Sequence, residues 1–301
     1  MQAVLMRETG GPQVLGLEEV ERPEPGDGQV LVEVHAASVN PIDWKYRRGL
    51  MPKQLPVVLG NDVSGKVVSS RAEGFAEGDE VFGIALSGGY AEFATAPAAA
   101  IAIKPAGVSH EQAAALPVAG MTAWQALFDH GGLQAGQTAL IAGAAGGVGH
   151  LAVQLARRAG ASAVGIGSSR NRDFVLGLGA ERYIDYTRED VATALSDVDL
   201  AFDAVGAEIT QSLLATVRTG GVLVTVANAP PEQEAAARGA RAVLFSMTPN
   251  PEQLSEIGGL VAAGELHVEI AEVLALSQVS RAHELSESGH TRGKIVLRVD
   301  R

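Results

Sequence analysis

The segment Ala144-Ala145-Gly146-Gly147-Val148-Gly149 follows an apolar run, Thr138–Ala142, and precedes a helix-like stretch at 151–159. A strand, a glycine turn and a helix in that order make a seat for the pyrophosphate of a dinucleotide. The turn needs residues without bulky side chains, and the helix start presents N–H groups that have no acceptor within the helix. Ala144 replaces the first glycine of the G-x-G-x-x-G pattern, so the string takes its meaning from the elements on either side. Gly146, Gly147, Val148 and Gly149 are expected to cradle the phosphates.

A second apolar run, Ala163-Val164-Gly165-Ile166, reads as the next parallel strand and leads into Ser168-Ser169-Arg170-Asn171-Arg172. Ser168 stands 19 residues past Gly149, where an NAD site places an Asp or Glu on the ribose hydroxyls. Hydroxyl and guanidinium groups at that point suit an extra 2′-phosphate through charge-assisted hydrogen bonds. Two arginines opening a helix are mildly unfavourable without an anion beside them. Ser168, Ser169, Arg170 and Arg172 therefore point to NADPH rather than NADH.

These residues need two kinds of scaffold. Residues 1 to 116 are β-rich, with short runs such as Val30-Leu31-Val32-Glu33-Val34, Val63-Ser64-Gly65-Lys66-Val67-Val68 and Tyr90-Ala91-Glu92-Phe93-Ala94 separated by glycine and proline turns. From 117 to 246 apolar runs alternate with helical stretches, the pattern of a parallel sheet wound with helices. Its later strands are expected at Tyr183-Ile184-Asp185, 200–203, 222–226 and 242–245. From 247 to 301 the chain reads as a helix with Leu254, Ile257, Leu260 and Val261 on one face, then an alternating strand at 293–299. The fold class is α/β, with a β-rich first domain and a doubly wound second one.

With 301 residues the chain has room for two cores, and 47% hydrophobic and 19% charged residues is an ordinary globular composition. A net charge of −12 argues against a nucleic-acid surface. The absence of cysteine excludes disulfides and thiolate metal sites. No basic-then-apolar leader precedes Met1-Gln2-Ala3-Val4, and no apolar run reaches bilayer length, so no membrane insertion and a cytoplasmic location are expected.

The strings Ser38-Val39-Asn40-Pro41-Ile42-Asp43-Trp44-Lys45, Gly60-Asn61-Asp62-Val63-Ser64-Gly65, Gly78-Asp79-Glu80-Val81-Phe82-Gly83 and Gly88-Gly89-Tyr90-Ala91-Glu92-Phe93 occur in this order. Ala115-Leu116-Pro117-Val118-Ala119-Gly120-Met121-Thr122-Ala123, the glycine turn and 289–297 come after them. Together they resemble the zinc-independent medium-chain dehydrogenases/reductases of the quinone oxidoreductase type, over essentially the whole length. The resemblance implies a GroES-like β-barrel domain built from both chain ends, a Rossmann domain, and substrate and nicotinamide in the cleft between them. It further implies a homodimer or homotetramer joined along the sheet edge at 242–245.

In the zinc-dependent relatives a cysteine stands at the position of Asn40 and a histidine at that of Asn61; amides are poor zinc ligands. The four-cysteine lobe would fall between Gly83 and Gly89, where only Ile84-Ala85-Leu86-Ser87-Gly88 is found. No metal is therefore expected, and Asp43 and Asp62 read as buried hydrogen-bonding or ion-pair residues. Without a Lewis acid the acceptor must delocalise incoming charge itself, as a quinone or an α,β-unsaturated carbonyl does.

The resemblance also implies roles. Asn40 is a candidate to orient nicotinamide or to donate to the substrate oxygen, Lys45 to stabilise an enolate, and Tyr46 to donate a proton or line the pocket; Trp44 is expected to pack. Tyr186 matches a tyrosine near the 2′-phosphate, while Thr122, Asn228 and Phe245 are expected toward the nicotinamide. Asp203-Ala204-Val205-Gly206 ends a strand at the ligand-binding edge of an open α/β sheet, so Val205 and Gly206 should wall the cofactor and Asp203 should be structural. Lys294 reads as a surface lysine of a barrel strand. Bacterial quinone oxidoreductases often carry tyrosines at the positions of Lys45 and Met51, and their absence favours the enone and alkenal reductase-like branch. Two alternatives stay open: an NADPH-binding sensor or scaffold with little turnover, and a zinc-free alcohol dehydrogenase.

Overall fold

The computed structural model describes residues 1–299. By contacts the chain divides into one unit, Met1–Met121 with Pro249–Arg301, and a second, Thr122–Thr248. In chain order the first unit holds β1 (Gln2–Met6), β2 (Leu15–Glu19), β3 (Gln29–Val39), β4 (Val57–Val58), β5 (Asp62–Ser70), β6 (Glu80–Ile84), β7 (Phe93–Pro97) and β8 (Ile101–Ile103). The second holds β9 (Thr138–Ala142), β10 (Ser162–Gly167), β11 (Arg182–Asp185), β12 (Val198–Asp203), β13 (Val217–Thr225) and β14 (Arg241–Leu244). The chain then returns to the first unit as β15 (Ile270–Ala275) and β16 (Lys294–Arg298).

The first unit is the GroES-like fold. Its seven-stranded sheet runs β15-β16-β3-β5-β6-β8, with β7 also on β3. The long strand β3 makes the sheet curl. Gln29–Glu33 pairs with β7 and Ala36–Val39 with β16, and the ladder to β5 shifts register between Leu31 and Val32 and again between Val34 and Ala36. Inward residues of this curl, among them Val34, Leu59, Val63, Tyr90 and Leu297, share a core with Val4 and Met6 of β1. Two expectations need correction. The strand read at 90–94 begins only at Phe93, because Tyr90 is drawn fully inside, where its ring would leave just 2.4 Å to any Cβ on Gly60. β16 does not alternate: Lys294 to Leu297 are all buried, because β15 and β3 pair with its edges and the helices Val279–Glu287 and His110–Ala114 pack on the strand.

The second unit is Rossmann-like. Six strands, all paired in parallel, take the order β11-β10-β9-β12-β13-β14. Their near-continuous apolar runs, such as Ala139-Leu140-Ile141-Ala142 and Leu200-Ala201-Phe202, are what a sheet covered on both faces requires. Parallel strands end on a common edge, and the direction of winding reverses between β9 and β12. A crevice opens at such a reversal, so the loops leaving these strands are delivered to one place.

Candidate active site

Six strand ends converge on the carboxyl edge of the second unit. After β9 the chain turns at Gly143, whose φ of 68° is left-handed and open to glycine at low cost. A Cβ on Gly149 would lie 2.2 Å from the Gly143 carbonyl oxygen, so the helix Gly149–Arg158 starts against the turn itself only because position 149 is glycine. Gly143 thus takes the turning role that the motif assigns to the position of Ala144. Ala144 is buried and donates its N–H to the Ile166 carbonyl at the end of β10 (3.1 Å). Gly146 and Val148 lie between turn and helix, and the Gly146 carbonyl meets the His150 ring Nδ1 at 2.8 Å.

After β10, Ser169–Asn171 forms a 3₁₀ turn and Arg172 opens a short helix, leaving Ser169, Arg170 and Arg172 exposed to differing degrees and Ser168 half-buried. The Tyr183 hydroxyl donates to the Ser168 carbonyl (2.7 Å), which fixes the start of the turn. Burial pushes that phenol up to about 12, with Asp185 adding to the shift, so it remains a donor. Asp185, at the end of β11, brings a carboxylate to this cluster. Its charge is held by the Thr187 hydroxyl (2.7 Å) and N–H (3.0 Å), with further help from Ser169 and Arg188, and these keep it below the usual carboxylate range. Tyr186 stands 55% exposed beside it.

After β12, Asp203 accepts the N–H groups of Val205 (2.9 Å) and Gly206 (2.8 Å) and the Thr210 hydroxyl (2.6 Å). It folds the loop, the structural role read from the sequence. Val205 is left exposed, and the left-handed Gly206 (φ 84°) leaves no room for a Cβ beside the Asn228 side-chain oxygen (2.5 Å). That oxygen accepts the Ala207 N–H (3.0 Å), so Asn228, placed after β13, braces the Val205 loop. Phe245, after β14, is buried with its ring 4.4 Å from that of His130, and Thr122 is buried in the helix Pro117–Trp124. The structure thus gathers the glycine turn, the Ser168 cluster, Tyr186, Val205, Gly206 and Asn228 on one edge, with Thr122 and Phe245 packed inside.

The first unit contains a buried polar cluster that no contiguous motif announces. Asn40 precedes the helix Pro41–Arg47 and donates its main-chain N–H to Asp43 (2.8 Å). Its side-chain Nδ2 donates to Asp62 Oδ2 (2.8 Å), and its Oδ1 accepts from the Lys294 ammonium (2.6 Å). Lys294 lies 3.7 Å from the same carboxylate and also reaches the Val39 carbonyl (3.4 Å). Asp62 receives two more donors, the Ser38 hydroxyl (2.7 Å) and the Val118 N–H (3.0 Å). Lys294 is 3% exposed, which overturns its reading as a surface lysine. With both faces of β16 covered its side chain must go inward, and Asp62 supplies the counter-charge that makes this tolerable.

Asp43 accepts the Tyr90 hydroxyl (2.9 Å), and burial raises its carboxyl to about 6. Lys45 and Tyr46, on the same helix, stand apart from this cluster. Lys45 is half-buried with its ammonium 5.9 Å from the Trp44 ring, and Tyr46 packs on the core under the Lys53 ammonium (4.4 Å). Asn61 lines a cavity of about 530 Å³ together with Lys53, Val58, Ile84, Leu86 and Ser87.

Residues 26–106 match the alcohol dehydrogenase GroES-like domain family, and residues 178–297 match the zinc-binding dehydrogenase family. The chain is 34% identical to a 2-methylene-furan-3-one reductase of Solanum lycopersicum, over 99% of this chain and 79% of the relative. Among solved structures, a quinone oxidoreductase from Coxiella burnetii superposes with a TM-score of 0.94 at 37% identity, covering 100% of this chain and 99% of that one. The Escherichia coli quinone oxidoreductase complexed with NADPH gives 0.92 at 29% identity, covering 99% and 100%.

The residues present do not fit the zinc that one family name implies. Asn40 and Asn61 offer amides, an ammonium already stands 2.6 Å from Asn40 Oδ1, and a divalent cation there would be repelled. Among the described residues, no group of three His, Cys, Asp or Glu side chains is arranged to hold a metal ion. The chain belongs to the medium-chain dehydrogenase/reductase family, in its zinc-independent, quinone oxidoreductase-like branch.

Proposed function

We propose that this protein is an NADPH-dependent reductase of α,β-unsaturated carbonyl compounds or quinones, working without a metal. The observation that carries the reading is the shared sheet edge. The backbone seat at Gly143 to Gly149 and the hydroxyl–guanidinium cluster of Ser168, Ser169, Arg170 and Arg172 come directly after neighbouring strands, β9 and β10. Gly146, Gly147, Val148 and Gly149 would hold the pyrophosphate; Ser168, Ser169, Arg170, Arg172 and Tyr186 the 2′-phosphate; Val205, Gly206, Asn228, Thr122 and Phe245 the rest. NADPH, when bound, supplies a hydride. The names of the tomato reductase and of the NADPH-bound bacterial enzyme support this assignment.

The acceptor gains charge on its oxygen as an enolate or phenolate, and the side chains of the first unit meet that charge. Asn40 is assigned as donor to the oxygen, Lys45 as an electrostatic stabiliser, and Tyr46 as a proton donor or pocket wall. A homodimer or homotetramer joined along β14 belongs to the same reading, supported by the 49% exposed Leu244 on that edge strand. So does a cytoplasmic location; among the described residues, no helix is long and apolar enough to cross a membrane.

Steady-state oxidation of NADPH and NADH against alkenals, cyclic enones and quinones tests the proposal. Turnover is expected with NADPH, fastest with enones or alkenals. Tight NADPH binding without turnover on any acceptor would replace the enzyme by a sensor, and oxidation of simple alcohols with NADP⁺ would make it an alcohol dehydrogenase.

A further inference from the structure

We propose that Lys294, together with Asp62, is a positioning residue for the Asn40 amide, holding it so that one Nδ2 proton is presented to the acceptor oxygen. The inference rests on the reading of Asn40 as the donor to that oxygen. A side-chain amide has an acceptor end and a donor end that are nearly equal in shape, so neighbours must decide which way it faces. Here they leave one choice. The Lys294 ammonium can only donate, and it meets Oδ1 at 2.6 Å. Asp62 Oδ2, which also takes the Ser38 hydroxyl, meets Nδ2 at 2.8 Å. A flipped amide would set N–H against ammonium and carbonyl against carboxylate. The backbone at this residue is pinned as well, through its N–H on Asp43.

Of the two Nδ2 protons, one is committed to Asp62, and the other has no acceptor in this cluster. Asn40 is 3% exposed, so water competes weakly for that proton. Polarisation by the ammonium at one end and by the carboxylate at the other largely cancels. The gain is therefore orientation, a donor that need not reorganise when charge develops on the acceptor. An interaction of that kind is felt in kcat and not in ground-state binding.

Lys294→Met removes one of the two groups that select the orientation and leaves Oδ1 without its donor. The expected result is a fall in kcat of about tenfold to a hundredfold, with acceptor KM and NADPH affinity within about twofold of the parent. Lys294→Arg keeps a donor toward Oδ1 and should recover most of the loss. The single variant strands a buried carboxylate, so Asp62→Asn/Lys294→Met, which neutralises both partners, provides the folded control and should stay slow. In a cycle with Asn40→Ala the losses should not multiply, since Lys294 and Asp62 act only through the Asn40 donor that this substitution removes.

Full kcat in the neutral pair, or losses that multiply, would overturn the positioning role while leaving Asn40 as donor. An Asn40→Ala variant with unchanged kcat would instead remove the donor reading on which it stands. Exchange of the Asn40 side-chain protons by NMR gives a readout independent of turnover. Strong protection is expected in the parent and loss of it in Lys294→Met; equally fast exchange in both would contradict the clamp.

Discussion

The carboxyl edge of the second unit and the buried cluster of the first serve one proposed reaction but are made in opposite ways. The phosphate seat of the edge is backbone: a left-handed Gly143, a Gly149 that tolerates no Cβ, and N–H groups at a helix start. Its residues come in contiguous strings because each string leaves one strand of a parallel sheet. The cluster is side chain: Ser38, Asn40, Asp43, Asp62, Tyr90 and Lys294 are drawn from β3, β5, β16 and the segments between, and most find their partners far away in the chain. A phosphate seat needs only shape and N–H dipoles, which local sequence encodes. An oriented amide in a dry interior needs charge on both sides, which only tertiary folding assembles.

If this contrast holds, one small branched side chain should wreck the edge. Gly149→Val places carbon where only 2.2 Å is free to a backbone oxygen. The cost should be about 4 kcal/mol or more, seen as loss of NADPH binding by calorimetry and a lowered unfolding midpoint. A variant that binds normally would show that the turn has slack.

The cluster should instead respond to charge and tolerate lost polarity. Lys294→Met alone should destabilise by about 3–4 kcal/mol in denaturant unfolding, because Asp62 is left buried and unpaired. Asp62→Asn/Lys294→Met should regain most of that. Equal losses in both would mean that packing, not charge pairing, sets the stability of this region.

Within the edge, Ser168→Ala/Arg170→Ala separates recognition of the 2′-phosphate from the common seat. NADPH should weaken by about 2 kcal/mol more than NADH, since each charge-assisted contact contributes about 1–3 kcal/mol. Titration of both cofactors measures it, and equal weakening would erase the specificity argument.

The smallest expected effect is a pH slope. The Asp43 carboxyl is raised to about 6 in the fold, above its usual value near 3.9, chiefly by burial. Between about pH 4 and 6 the folded state holds a proton that the unfolded state has released, so this group's contribution to stability is present at acid pH and lost as pH rises. Burial lowers His283 to about 3, which acts in the other sense, since its contribution is lost as pH falls below about 6.5. Comparing the parent with Asp43→Asn cancels the histidine, and the difference should change by at most about 2 kcal/mol across that window. A flat difference would place the Asp43 titration elsewhere.

Much of the edge is legible in the sequence because parallel strands buried on both faces read as apolar runs, and the loop after each run lands on one side. Gly143 is harder to read because the glycine motif aligns one residue later, although a glycine directly after an apolar run is a usable signal. Lys294 is misplaced by sequence pattern for a physical reason: alternation along 293–299 suggests one wet face, whereas Lys294 to Leu297 are all buried in the fold, with the helices Val279–Glu287 and His110–Ala114 packed on the strand. Nothing local announces that its partner is Asp62. The packing of Tyr90 beside Gly60 is likewise hidden, because a left-handed glycine (φ 87°) makes room for a ring 30 residues away.

The central claim is most directly tested with NADPH carrying deuterium at the transferring position of nicotinamide C4, reacted with a cyclic enone in the presence of a metal chelator. Deuterium is expected on the product carbon β to the carbonyl, at a rate the chelator leaves unchanged. A product without deuterium, or a rate abolished by chelation and restored by zinc, would contradict metal-free hydride transfer to an unsaturated carbonyl.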